Sequence, residues 1–231
     1  MIEISKKITT NVGRTNAQFG LIKENDRIMI GFSGGKDSLT LLHTLNRMQK
    51  KAPFKFDFKA VTITYGMGEQ IEFLSNHCKE HGIEHEIIDT QIFDLAGEKI
   101  RKNSSFCSFF SRMRRGYLYT TALEQGYNKV ALGHHLDDAM ESYFMNLFYN
   151  GTMRTMPPIY KASNGLEVIR PLIFCRERQL RAFADSNEIR VIGDEACPGL
   201  RFDVKMPHAR AATKELLAKL EEQNPKIFVS M

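Results

Sequence analysis

The chain has 231 residues, 42% hydrophobic and 10% aromatic, with 32 Lys+Arg against 27 Asp+Glu and a formal net charge of +5. A chain of this size buries about 70% of its unfolded surface, so it needs no disulfide or metal staple, and its composition excludes intrinsic disorder. No apolar run approaches the roughly 20 residues that span a bilayer, and the start, with Glu3, Lys6 and Lys7, lacks a hydrophobic signal core; the expectation is a cytoplasmic protein without membrane contact. Four cysteines, Cys78, Cys107, Cys175 and Cys197, are scattered without a CxxC pair and read as reduced thiols. The basic excess makes an RNA or nucleotide partner admissible without requiring one.

In chain order, residues 1–26 read as an N-terminal helix or arm. Strands are predicted at Arg27 to Phe32, Phe58 to Thr64, Glu84 to Asp89, Lys129 to Gly133 and near Val168 to Arg170, each a short apolar, β-branched run. Between them, Ser38 to Met48, Gln70 to Gly82, Phe106 to Gly126 and Asp137 to Tyr149 carry Leu, Phe and Met at helical spacing. The pattern breaks into loop around Asn150-Gly151 and Met156-Pro157-Pro158, and Arg170-Pro171 marks a turn. Glu177 to Asn187 and Lys205 to Gln223 read as charged helices. This alternation predicts an α/β fold: a doubly wound, mostly parallel five-stranded sheet over residues 27–175, with 176–231 as a helical C-terminal appendage of the same domain. Ligands on such sheets bind beyond the carboxyl ends of the strands.

Directly after the first strand, Ser33-Gly34-Gly35-Lys36-Asp37-Ser38 runs into Leu39-Thr40-Leu41-Leu42. Strand, glycine turn and helix start together aim backbone N–H groups and the positive end of a helix dipole at one point, which suits phosphate. Gly34 and Gly35 allow close approach, Ser33 and Ser38 supply hydroxyls, Lys36 a positive charge, and Asp37 a ligand for Mg²⁺. Neither GxxxxGK[ST] nor GxGxxG is present, which excludes a P-loop NTPase and a dinucleotide fold. His134, His135, Asp137 and Asp138 fall where the fourth strand meets a helix; Asp137 or Asp138 could join Asp37 around magnesium, or simply cap the helix. Arg112, Arg114 and Arg115 read either as RNA-phosphate contacts or as a solvated helix face. Arg201, Lys205 and Arg210 are weaker candidates of the same kind.

SGGKDS at residues 33–38 resembles the signature of the PP-loop, or N-type, ATP pyrophosphatases. The blocks Cys107 to Gly116, Leu132 to Asp138, Met156-Pro157-Pro158 and Val168 to Leu172, in that order, resemble the tRNA 2-thiocytidine synthetases, the TtcA family, over nearly the whole chain. The resemblance implies a transferase of tRNA processing that uses ATP and Mg²⁺: the C2 oxygen of an anticodon-loop cytidine, position 32, is adenylated and replaced by sulfur, with AMP and pyrophosphate released. It implies a nucleotide on residues 33–38 with Thr62, Gly133 and His134 nearby, Mg²⁺ on Asp37 and Asp137, and Lys36, Asp37, Cys107 and Cys197 in catalysis. It also implies tRNA as partner, a cysteine desulfurase or sulfide as sulfur donor, and a homodimer. Family members carry a CxxC and a later cysteine that together hold an iron-sulfur cluster; here Cys107 and Cys197 match two of the three positions and Phe110 fills the other. Two sulfur schemes stay open, a 4Fe-4S cluster with a substitute ligand, or a persulfide on one cysteine resolved by the other. The rival readings are a lysidine-synthetase-like ligase or other adenylating enzyme of the same superfamily, which would need neither cysteine, and a non-catalytic RNA-binding sulfur relay.

Overall fold

A computed structural model describes the backbone of residues 2–99, 106–193 and 208–230. The strands are β1 (Arg27–Gly31), β2 (Asp57–Ile63), β3 (His85–Ile88), β4 (Lys129–Ala131), β5 (Ile159–Lys161) and β6 (Glu167–Ile169). The helices are α1 (Lys6–Phe19), α2 (Lys36–Lys51), α3 (Glu72–Glu80), α4 (Ile92–Lys99), α5 (Phe106–Glu124), α6 (Leu136–Asn150), α7 (Glu177–Ser186), α8 (His208–Gln223) and α9 (Ile227–Ser230). The strands form one sheet in the order β3-β2-β1-β4-β6-β5, parallel except for β5. The five strands read from the sequence are the five parallel ones. The sixth, β5, pairs antiparallel with β6 at the sheet edge, directly after Pro157-Pro158; unlike the equally short β4 and β6 it is only partly buried and carries no apolar run, so it leaves no strand signal.

Side chains of β1 alternate between two cores. Ile28, Ile30 and Phe32 face Ile8 and Val12 of α1, Leu39 and Leu42 of α2, and Leu180 of α7. Met29 faces the opposite layer with Val61, Val130 and Val168, closed by Phe110 and Leu118 of α5 and Ile92 of α4. Both faces being buried explains why these strands read as continuous apolar runs rather than alternating ones. A third, smaller cluster of Met140, Leu217 and Phe228 joins α6, α8 and α9, so the C-terminal helices are seated on the helix that follows β4. At the amino end of the sheet Lys129, 1% exposed, donates to Leu21 O at 2.8 Å and pairs with Asp26 at 2.8 Å, closing the end opposite the functional loop. Among the described residues no helix is long and apolar enough to cross a membrane.

Candidate active site

Residues 32–35 leave the carboxyl end of β1, the central strand, and turn directly into α2. Gly34 takes φ +77°, and a Cβ there would lie 2.7 Å from Ile192 Cδ1 and 2.9 Å from Leu74 Cδ2, so conformation and space both demand glycine. The hydroxyls are engaged with the loop itself. Ser38 Oγ donates to Gly35 O (3.0 Å) and accepts from Ser33 N–H (3.2 Å), while Ser33 Oγ accepts from Gly35 N–H (3.4 Å). Gly35 is the N-cap of α2, and no side-chain oxygen caps that terminus. An uncapped helix start behind a glycine turn is an anion cradle.

Charged groups surround this cradle. Lys36 Nζ lies 3.4 Å from Asp37 Oδ2 and 3.2 Å from Glu177 Oε1 on α7. Asp37 Oδ1 is buried with no hydrogen-bond partner; burial pushes the carboxyl above its ordinary range, with His135 and Lys36 pulling the other way. A partnerless carboxylate oxygen beside a phosphate cradle fits a hard divalent cation. Gly133, at the end of β4, is forced by close approach, because a Cβ there would lie 3.1 Å from the carbonyl carbon of Asp37. His135 caps α6: its Nδ1 accepts from Asp138 N–H at 3.4 Å and its own N–H donates to Asp138 Oδ2 at 3.1 Å. Its Nε2 stands 3.8 Å from Asp37 Oδ1.

Asp137 does not join Asp37. Both of its oxygens are taken, by Arg176 Nε at 3.1 and 3.2 Å and by Glu177 N–H at 2.7 Å, so the expected second magnesium ligand instead anchors the start of α7. Asp138 is likewise held, by Arg210 Nη2 at 2.6 Å. That leaves Asp37 as the acid of the loop with an oxygen to offer.

Two clefts open from the loop. The first, about 800 Å³, runs from Lys36 past Thr62, Tyr65 and Phe73 to Ile192. The second, about 940 Å³, runs past Gly133 and His134 to Arg115, Glu141 and Arg210. Ser33, Asp37, Ile63 and Arg114 line both, so the clefts meet at the phosphate cradle. Thr62 lines the first, yet its hydroxyl braces the loop from behind, donating to Phe32 O at 2.7 Å and bonded to His85 Nε2 at 2.9 Å. His134 accepts from Arg170 Nε at 3.3 Å; burial first, then the Arg170 charge, pushes it down to about 4, so it is neutral at pH 7. Arg114 donates to Tyr65 Oη at 2.8 Å, with its guanidinium 5.0 Å from the ring centroid, which fixes it between the clefts. Arg115 is exposed on the second cleft, and Arg112 is exposed and lines neither.

Glu177, Arg176 and the segment around Ile192 enter the site without having been marked by any local motif, and Arg210, expected as a weaker RNA contact, is paired with Asp138 and Glu141. Cys107 lies on α5, but its side chain, and all of Cys197, Arg201 and Lys205, fall outside the described residues. Phe110, the residue at the second cluster position, is buried between Phe93 (6.4 Å, stacked) and Tyr65 (5.5 Å, edge-on) and offers no ligand. Cys78 and Cys175 are buried, and burial pushes both thiols up to about 12, which makes them inert core residues.

With this geometry established, comparison with known proteins places the chain. A family model described as the PP-loop domain matches residues 4–205. The chain is 44% identical over 229 residues to a tRNA-cytidine(32) 2-sulfurtransferase of Geobacter metallireducens, covering 98% of this chain and 87% of that protein. The relative of the same name in Geobacter sulfurreducens is 42% identical over 228 residues, with the same coverage. Among solved structures, the U34-tRNA thiolase NcsA from Methanococcus maripaludis, with its 4Fe-4S cluster, superposes with a TM-score of 0.79 at 25% identity, covering 97% of this chain and 76% of that one. The chain belongs to the PP-loop family, and within it to the family of the tRNA-cytidine(32) 2-sulfurtransferases.

Proposed function

We propose that the protein is an ATP-dependent tRNA sulfurtransferase that replaces the C2 oxygen of cytidine 32 with sulfur. The observation that carries this reading is the meeting of two clefts at one phosphate cradle, with Asp37 and Arg114 in both walls. ATP occupies the first cleft, its phosphates on the residue 33–38 loop and the α2 N-terminus, with Lys36 exchanging Glu177 for phosphate oxygens. Asp37, through Oδ1, would hold Mg²⁺, which would neutralise phosphate charge as pyrophosphate leaves. The target cytidine enters the second cleft, unpaired as anticodon-loop bases are, with Arg114, Arg115 and Arg112 holding RNA phosphates. Its C2 oxygen attacks the α-phosphorus and breaks the bond to pyrophosphate. Sulfur then attacks C2, the C2–O bond breaks, and the oxygen departs as part of AMP, a far better leaving group than an amide-like oxygen. Neutral His134, on the wall of this cleft, accepts from Arg170 at Nδ1 and so carries its proton on Nε2, from which it can donate a hydrogen bond to the base.

Cys107 and Cys197 handle the sulfur. Cys107 and Cys197 would hold two irons of a 4Fe-4S cluster, which would present sulfide to C2 without net redox change. A cysteine persulfide instead gives up its terminal sulfur to C2 while the second thiolate attacks the inner sulfur, leaving a disulfide that an external dithiol must reduce. The packing of Phe110 removes one ligand position from the cluster scheme without deciding between the two. This reading carries with it a cytoplasmic location, sulfide or a cysteine desulfurase as donor, and the homodimer implied by the family resemblance.

The deciding experiment is nucleoside mass spectrometry on tRNA incubated anaerobically with the protein, ATP, Mg²⁺ and sulfide, with and without iron reconstitution. A cytidine that gains sulfur for oxygen establishes the reaction. Dependence on iron assigns the cluster; an iron-independent product that forms only when a cysteine desulfurase, cysteine and a dithiol replace sulfide assigns the persulfide, because sulfide alone lacks the two-electron oxidant a persulfide requires. AMP and pyrophosphate without a thionucleoside under either condition would replace thiolation by ligation to another nucleophile.

A further inference from the structure

Away from the nucleotide site, three histidines converge. His43 on α2 is 3% exposed, and its Nε2 lies 2.7 Å from Nε2 of His77 on α3. His81, the C-cap of α3 one turn on from His77, lies tilted against it with ring centroids 4.6 Å apart and meets His43 edge-on at 4.8 Å. Each ring has a ligand nitrogen within 4.8 Å of those of the other two. We propose that His43, His77 and His81 form a binding site for one borderline divalent metal ion of the zinc class, clasping α2 to α3.

Spacing and tautomer both support the assignment. Histidines four apart on a helix lie on one face and can close on one ion. His81 Nδ1 lies 2.8 Å from the His77 carbonyl oxygen, to which only N–H can donate, so the Nδ1–H tautomer is fixed and Nε2 is left with a free lone pair. That is the arrangement metal-ligating histidines use, with one ring nitrogen on a backbone carbonyl and the other on the metal. Between His43 and His77 a single proton holds the Nε2 atoms together. Around a tetrahedral ion with metal–nitrogen bonds of about 2.0–2.1 Å they would stand roughly 3.3 Å apart, an opening of about half an ångström. Imidazole ligands alone favour zinc, copper or nickel over magnesium or calcium, which separates this site from the nucleotide's cation.

Burial and the neighbouring rings push His43 down to about 3, and His77 is lowered too, so these rings are neutral and carry no charge against a cation. The charged groups that act on the cluster are Lys50, which opposes a cation, and Glu80, which favours one; Phe183 of α7 covers His43. His77 and His81 are half-exposed, so water can complete the shell. The clasp has a mechanical target, because Leu74 on α3 lies beside Gly34 of the phosphate loop, 2.9 Å from where a Cβ there would stand.

The test is a Zn²⁺ titration of chelator-treated full-length protein by calorimetry, with the wild type, His77→Ala, His81→Ala and a Cys107→Ala/Cys197→Ala control. One equivalent should bind to the wild type and to the cysteine control, with affinity falling at least ~10-fold in either histidine variant. Far-UV circular dichroism of the metal-free variants checks their fold. In the wild type, the imidazole NMR signals of all three histidines should move together as one equivalent is added, a readout that needs no variant. No uptake by the wild type, uptake unchanged in the histidine variants, or uptake with those signals unmoved would each overturn the site.

Discussion

Asp37 is the residue on which function and stability pull apart. Its Oδ1 has no hydrogen-bond partner, and its pKa is raised by burial. A carboxyl raised in the folded state stabilises the fold at low pH and loses that contribution as the pH rises through its folded pKa, so at pH 7 the ionised group is a net burden. Asp37→Asn should therefore raise the thermal midpoint at pH 7 while pyrophosphate release falls at least ~100-fold, since the cation and the charge it sets are lost. A melt combined with a pyrophosphate assay reads both, and a lowered midpoint would show that Lys36 and His135 make the charge net favourable. His85 has the opposite sign. It is bonded to Thr62 Oγ1 and Ser75 Oγ, each at 2.9 Å, and burial pushes it down to about 4 against the weak pull of Glu86. Between pH 6.5 and 4 the unfolded chain takes up a proton that the folded one refuses. This histidine alone should thus cost up to about 1.4 kcal/mol per pH unit as the pH falls through that window, present in full above it. Urea midpoints for wild type and His85→Gln across pH 7 to 5 check this; parallel curves would remove His85 from the account.

Among the elements, the join of β1 to α2 is the strictest. Gly34→Ala places a methyl 2.7 Å from Ile192 in a left-handed backbone, which should destabilise by roughly 1–3 kcal/mol and weaken ATP binding together, as urea unfolding and nucleotide titration would show. Five parallel strands were legible in the sequence as short continuous apolar runs, because both their faces are buried, and most helices because each buries a periodic face. The misses are β5, a partly exposed edge strand without an apolar run, and α9, which at four residues is too short for a helical period. α4 at eight residues also escaped, its apolar pattern mixed with Asp94 and Gly97. The phosphate loop was legible because its parts are contiguous. The partners that orient it were not: Glu177 against Lys36, Arg176 against Asp137 and Arg210 against Asp138 join α7 and α8 to distant helix starts, and no local pattern encodes such pairs. The same limit explains Asp137, which as one of two acids at a helix start reads equally well as cap or metal ligand. Its guanidinium partner is visible only in three dimensions. The histidine triad shows both halves of the rule: His77 and His81 have a readable spacing, whereas His43 joins them only when α2 and α3 pack.

Over the whole molecule the formal charge of +5 favours a polyanion, but where the arginines sit matters more than their number. Arg115 lines only the second cleft, whereas Arg114 belongs to both. Arg115→Ala should weaken tRNA binding and lower the slope of log affinity against log salt by about one, leaving ATP affinity unchanged. Filter binding across a salt series measures the slope, and an unaltered slope would move the RNA path off this cleft.

The ion pairs across the site also set an order of assembly during synthesis. The SGGKDS loop and its central strand leave the ribosome early, yet Lys36 pairs with Glu177, and the N–H of Glu177 in turn holds Asp137. A nascent chain halted before α7 carries the complete nucleotide signature with its lysine and Asp137 unrestrained. Adenylating competence therefore arrives late in translation, so an unfinished chain that exposes the motif is poorly equipped to consume ATP.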